Sequence, residues 1–155
     1  MNHTMARRYF KTVSTAKYED LGSAGGWNSF AELQKQNDAF TSAYIDKVRI
    51  SWILEGDTGD TEKQFGVLFC ASTRDAMSGT DASNSGYIIS ASASDGGGGV
   101  VTLPIKRRIV DNDFDASSGD NAIMLHARCT DTGDNTYSIT MIIETWGRWH
   151  KVNSL

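Results

Sequence analysis

The sequence predicts an all-β fold, an antiparallel two-sheet sandwich of the jelly-roll kind, with one short helix near the N-terminus. From Tyr44 onward, apolar and polar side chains alternate with a period of two, which is the spacing of a strand with one buried face. Polar, glycine-containing turns separate these runs, and helical spacing is confined to one short segment. With 155 residues and a hydrophobic fraction of 39%, the chain is large enough for one domain with a sizeable core.

The N-terminal segment is basic, whereas the whole chain has a net charge of −4. Residues 1–18 contain Arg7, Arg8, Lys11 and Lys17 and no acidic residue, and a run of small residues and glycines follows at 22–26. We therefore interpret residues 1–26 as a basic arm with a glycine-rich joint, and residues 27–155 as a single β-sandwich domain. The arm is either a solvated terminus or a contact for nucleic acid or an anionic surface.

The predicted helix begins at Ser29. Ser29 and Glu32 have the spacing of a capping box, so we expect one or two helical turns over residues 29–35. Asn37 and Asp38 are expected to end the helix.

Six segments alternate clearly enough to be predicted as strands, at 44–54, 65–71, 87–93, 100–110, 121–130 and 136–146. Residues 9–18 and 146–152 are candidates for a seventh and an eighth strand. Turn-forming residues at 95–99 predict a hairpin that joins the third and fourth strands, and those at 131–135 predict one between the last two. Pro104 lacks a backbone N–H, so its segment is either an edge strand or two shorter strands.

No catalytic or cofactor motif is recognisable. The acidic run 111–115 begins like a calcium loop, but Ala116 replaces the required glycine and Ala122 the closing glutamate, so we expect no metal. Neither a nucleophile elbow nor a phosphate-binding loop is present. We therefore expect no enzyme activity, no cofactor and no small-molecule substrate. Cys70 and Cys129 are too few for a disulfide scaffold, and buried thiols are expected, with a single disulfide as the alternative.

Aromatic and cationic residues lie close together toward the C-terminus. Such combinations occur at protein interfaces, in sugar platforms and in single-strand nucleic-acid sites. Core packing is the alternative explanation for the tryptophans. The interface candidates are Tyr137, Trp146, Arg148, Trp149 and Lys151.

The arm containing Arg7, Arg8, Lys11 and Lys17, the glycine joint and a β domain with long polar loops together resemble the single jelly-roll capsid proteins of small viruses and phages. The resemblance covers the whole chain and rests on layout. It implies a virion structural protein, made in the host cytoplasm, that assembles with copies of itself and other virion proteins through sheet faces, loops and terminal arms. The arm would contact genome or membrane. The alternative is a glycan-binding or adhesion β-sandwich module.

Overall fold

The computed structural model describes residues 3–22, 26–56, 65–73, 88–93, 97–110, 112, 122–129 and 136–154. Eight strands are formed within these ranges. They are β1 (His3–Gly22), β2 (Asn28–Leu33), β3 (Ser42–Gly56), β4 (Phe65–Ser72), β5 (Ile88–Ala93), β6 (Gly98–Ile109), β7 (Ile123–Cys129) and β8 (Thr136–Ser154).

The strands form two four-stranded sheets, and every paired neighbour is antiparallel. The first sheet has the order β1-β8-β3-β6, and the second has the order β2-β7-β4-β5. Most consecutive strands therefore lie in opposite sheets. Eight strands connected in this way form a jelly roll, so the predicted fold class is confirmed.

The core lies between the two sheets and is filled by the alternating apolar residues. On β3, Ile50, Trp52 and Leu54 are at most 2% exposed, and they face the second sheet. The rings of Trp52 and Phe69, one from each sheet, lie 5.9 Å apart between centroids. Because full burial of one large apolar side chain contributes about 1.5–3 kcal/mol, this contact layer holds the sheets together.

The predicted helix at residues 29–35 is wrong, because Asn28–Leu33 is a strand. This strand pairs with β7 from Asn28 opposite Ala127 to Leu33 opposite Ile123. A capping box supplies only local hydrogen bonds for one or two turns. Pairing with β7 supplies backbone hydrogen bonds along the whole segment, and Phe30 packs against Phe69 with 6.3 Å between ring centroids. These tertiary contacts stabilise the strand more than a capping box stabilises a short helix, so they override the local preference.

The basic N-terminal segment is a strand, not a free arm. β1 pairs with β8 from His3 opposite Ser154 to Gly22 opposite Thr136, with a bulge between Tyr18 and Leu21. The alternative that residues 9–18 form a strand is therefore confirmed, and the sandwich includes residues 3–22. The physical reason is visible on β1's inner face, where Phe10, Ala16 and Tyr18 pack against the core.

Two predicted hairpins are also wrong. β5 lies in the second sheet and β6 in the first, and β7 and β8 are likewise divided between the sheets. A turn sequence predicts that the chain reverses, but the reversal can equally carry it across the sandwich. Residues 146–152 belong to β8 and not to a separate strand. Pro104 lies on β6, a single strand at the edge of the first sheet, which is one of the two predicted alternatives.

The two cysteines are buried and are not joined in a disulfide, as expected. His126 is fully buried, and its ring nitrogens lie 3.0 Å from the Ser29 hydroxyl and 2.8 Å from the Ser72 hydroxyl. The acidic run 111–115 lies outside the described residues except for Asn112, whose side-chain amide donates to Asp38. Within the described ranges, no helix is long and apolar enough to cross a membrane.

Candidate interaction surface on the first sheet

The outer face of the first sheet is the surface turned away from the core. Because side chains alternate along a strand, the residues between the buried positions of β1, β8, β3 and β6 all point to this face. The register places them in rows that cross the sheet. One such row contains Lys11, Trp146 and Lys47, contributed by β1, β8 and β3.

Trp146 is the centre of a cluster of cations. The Nζ atoms of Lys11 and Lys47 lie 5.0 and 4.8 Å from the centroid of its ring. The guanidinium carbon of Arg49 lies 5.6 Å from the same centroid. These distances are within the range of a favourable cation–π interaction. The indole ring of Trp146 on β8 thus attracts three cationic side chains, one from β1 and two from β3.

Glu144 lies one row further along β8 and partly balances this charge. Its carboxylate lies 2.8 Å from the Lys11 Nζ and 2.6 Å from an Arg49 guanidinium nitrogen, and the residue is only 9% exposed. Hydrogen bonds from Lys11 and Arg49 lower the pKa of Glu144 below its ordinary value. Glu144 is therefore ionised near neutral pH and ties β1 and β3 to β8.

A second group of aromatic and cationic residues lies on the other side of Trp146. The Arg148 guanidinium carbon lies 4.4 Å from the ring centroid of Tyr44 on β3. Arg7 lies 6.0 Å from the ring of Tyr9, which is 68% exposed. We call this part of the face the basic region; it comprises Arg7, Tyr9, Lys11, Tyr44, Lys47, Arg49, Trp146 and Arg148.

The adjoining part of the same face, beyond Glu144, is apolar. Val13, Ile53, Val100 and Ile142 are 62%, 56%, 61% and 47% exposed, and one comes from each strand of the sheet. Ile142 and Val100 lie in one row on either side of Ser51, and Val13 and Ile53 are diagonal neighbours of Ile142. We call these four residues the apolar region.

The structure brings several predicted site residues together. Lys11, Trp146 and Arg148 lie on the outer face, as do Arg7 and Lys17 at opposite parts of β1. Lys151 is exposed near the end of β8.

Three predicted site residues lie elsewhere. Arg8 is on the other side of β1, with its guanidinium carbon 5.9 Å from the ring of Trp149. Trp149 stacks on Phe10 with centroids 4.4 Å apart, and its indole nitrogen donates to the Lys35 carbonyl. Tyr137 is 1% exposed, so its selection as an interface residue is corrected: it is a core residue.

The prediction missed the contribution of β3 and β6 to this surface. Tyr44, Lys47, Arg49 and Arg108 face outward, and Arg49 forms an ion pair with Glu144. The alternation along β3 predicts a solvent-exposed face, but only the strand order reveals that this face adjoins Trp146 and β1.

No family model matches the chain, and no curated protein matches it. Solved structures do. A chain of a semi-empty virus-like particle of the giant freshwater prawn (Macrobrachium rosenbergii) nodavirus matches with a TM-score of 0.52 and 6% identity, over 94% of this chain and 95% of that chain. Turnip yellow mosaic virus matches with a TM-score of 0.47 and 10% identity, over 97% of both chains. Desmodium yellow mottle tymovirus matches with a TM-score of 0.43 and 8% identity, over 97% and 85%. The nodavirus likeness confirms the resemblance to viral capsid proteins at the level of the fold.

Proposed function

We propose that this chain is a capsid subunit, a virion structural protein that assembles with copies of itself. The observation that carries the proposal is the eight-stranded jelly roll, which matches a chain of a nodavirus virus-like particle over nearly the full length of both chains. The proposed location is the virion, with synthesis in the host cytoplasm and other virion proteins as further partners.

The apolar region supports self-association. Soluble monomers seldom expose large side chains in a contiguous apolar group unless that group makes a contact. Val13, Ile53, Val100 and Ile142 form such a group on a sheet surface. Burying the exposed parts of these side chains against a second copy contributes about 1 kcal/mol each, and closed symmetry repeats the contact around the assembly.

The basic region supports contact with a polyanion, for which we favour the genome. Although the chain is acidic overall, cations from β1, β3 and β8 are concentrated on one surface. In this proposal Arg7 and Lys11 face phosphate groups, whereas Arg8 holds Trp149 in place. Lys17 lies outside the basic region, toward the other end of β1. Clustered cations of this kind bind nucleic acid through release of counterions.

The glycan-binding alternative is less well supported by the geometry. A sugar stacks on an open aromatic ring, but Lys11, Lys47 and Arg49 lie over the ring of Trp146. Catalysis has no part in the proposal. The grouping of His126 with Ser29 and Ser72 does not suggest an active site, because His126 is 0% and Ser72 2% exposed.

The test is the state of assembly of the purified full-length chain. Light scattering and negative-stain microscopy, over a range of salt and protein concentrations and with or without added RNA, should show closed particles or their ring-shaped precursors. A strict monomer under all of these conditions would overturn the proposal. Binding of that monomer to a defined sugar on a glycan array would replace the proposal with the recognition-module alternative.

A further inference from the structure

A cavity of about 400 Å³ lies at the edge of the basic region, where the start of β3 meets the ends of β6 and β8. The residues that line it and matter here are Thr41, Ser42, Tyr44, Arg108, Arg148 and His150.

The register explains why these side chains converge. Tyr44 on β3 lies opposite Arg148 on β8 and opposite Arg108 on β6, so a guanidinium group is placed on each side of it. Ser42 lies opposite His150 in the next row, and Arg7 of β1 lies opposite His150 on the other side.

Two arginines line the cavity, and Arg148 retains one hydrogen-bond donor without a partner. Arg148 contacts the exposed carboxylate of Asp46 at 3.7 Å through one terminal nitrogen, but its Nε is buried without a hydrogen-bond partner. Thr41 donates its hydroxyl proton to the His150 carbonyl, so the arginines and not Thr41 supply donors to the cavity. No carboxylate is among the described residues that line the cavity.

We propose that this cavity binds a phosphate group of a single-stranded nucleic acid. The planar donors of Arg108 and Arg148 match the tetrahedral oxygens of a phosphate. The cavity continues into the basic region, where further cations can follow the strand and exposed Tyr9 offers a ring for a base. The inference rests on the proposed polyanion contact and assigns it a specific position.

The surroundings of His150 support this assignment. Desolvation, then the charge of Arg148 and that of Arg7, lower the pKa of His150. Arg108 and Tyr44 line the same cavity, and Asp46 contacts Arg148. The imidazole is therefore neutral near pH 7, and a phosphate dianion or diester would favour its protonated form. Nucleic-acid binding should then strengthen as the pH falls below the ordinary histidine range.

The test uses the full chain and a fluorescently labelled single-stranded RNA of about ten nucleotides, with binding measured by anisotropy. Arg108→Gln should weaken binding about five- to tenfold. It should also reduce the magnitude of the slope of log K against log salt concentration by about 0.7, as expected for loss of one phosphate contact. Arg107→Gln is the matched control, because it removes the same charge from an adjacent exposed residue that does not line the cavity. It should change the affinity less than about twofold.

Arg108→Lys is a second variant that retains the charge, and it should give an intermediate loss if the planar guanidinium matters. Inorganic phosphate should compete with the RNA for the unaltered chain but much less for Arg108→Gln. Equal losses of RNA affinity in Arg107→Gln and Arg108→Gln would overturn the inference, because they would show non-specific electrostatic attraction to the surface and not a defined phosphate site. Binding to phosphatidylserine vesicles without binding to RNA would overturn it in favour of a membrane contact.

Particle formation distinguishes this inference from the proposed function. If particles form but RNA binding does not depend on Arg108, the cavity assignment fails and the capsid proposal stands. If RNA binding depends on Arg108 but the chain remains a monomer, the cavity assignment stands and the capsid proposal fails.

Discussion

The basic and apolar regions are built from the same sheet and differ only in position along its strands. β1, β8 and β3 contribute to both, and in both regions inward-facing apolar residues of those strands belong to the common core. The outward positions are charged and aromatic around Trp146 but aliphatic around Ile142. The comparison shows that strand alternation fixes which side chains face solvent, while the chemistry of that face varies freely along the strand.

Glu144 marks the border between the two regions. It follows Ile142 by two positions and precedes Trp146 by two, so it lies between them on the outer face. Its ion pairs with Lys11 and Arg49 draw those cations toward β8. An anionic partner at the basic region and a copy of the chain at the apolar region could therefore bind at the same time.

Removal of β1 should have the largest effect, because β1 contributes to both regions. Deleting residues 1–18 removes most of the partner of β8 and the stack of Phe10 on Trp149. We expect loss of the cooperative unfolding transition, measured by circular dichroism in urea. Deleting only residues 1–2, which precede β1, is the control. A truncated chain that unfolds with an unchanged midpoint would show that the segment is a dispensable arm after all.

A charge placed in the apolar region should abolish assembly without unfolding the chain. Ile142→Glu puts a carboxylate at a position that is 47% exposed, where burial against another copy would be costly. Tyr9→Glu makes a comparable change at an exposed aromatic residue of the basic region. Light scattering without RNA should show particles for Tyr9→Glu and monomers for Ile142→Glu. The reverse result would assign the subunit contact to the basic region.

The two-sheet sandwich could be predicted because its signal is local. On β3, Val48, Ile50, Trp52 and Leu54 alternate with polar residues, and all four are buried. The predicted helix at Ser29 is wrong because a distant contact, and not the local signal, decides the structure there. Its capping box is also a local signal, but pairing of that segment with β7, nearly a hundred residues away, decides its structure.

The candidate surface could be predicted only in part, because it depends on strand order. The sequence predicts both Lys11 and Trp146 as contact residues, yet nothing in their spacing shows that they are opposite each other. For the cations on β3, the sequence predicts exposure to solvent but not which strands lie beside them. Tyr137 was misassigned because aromatic residues near cations occur in cores as well as at interfaces, and periodicity alone does not separate the two.

Loss of the Trp146 ring should destabilise the chain and loosen the basic region. Trp146→Ala removes a half-buried indole and its contacts with Lys11, Lys47 and Arg49, so we expect a loss of about 2 kcal/mol in the free energy of unfolding. Trp146→Phe retains an aromatic face and should cost about half as much. Urea titration measures both. Trp146→Leu keeps apolar bulk without an aromatic face, and equal losses in Trp146→Phe and Trp146→Leu would show that apolar packing, and not the cation–π contacts, gives Trp146 its role.

Glu144→Gln should have the smallest effect at neutral pH and should reveal its origin through pH. Because the folded-state pKa lies below the ordinary value of 4.5, ionised Glu144 stabilises the native chain above that pH, and the contribution is lost as the pH falls through the lowered pKa. The unaltered chain should therefore have the higher Tm at pH 7, and the difference from Glu144→Gln should close in acid below pH 4.5. The same variant releases Lys11 and Arg49 from their ion pairs, so its affinity for RNA should rise modestly at pH 7. A Tm difference that does not vary with pH would mean that Glu144 acts through packing, and the border between the two regions would then not be electrostatic.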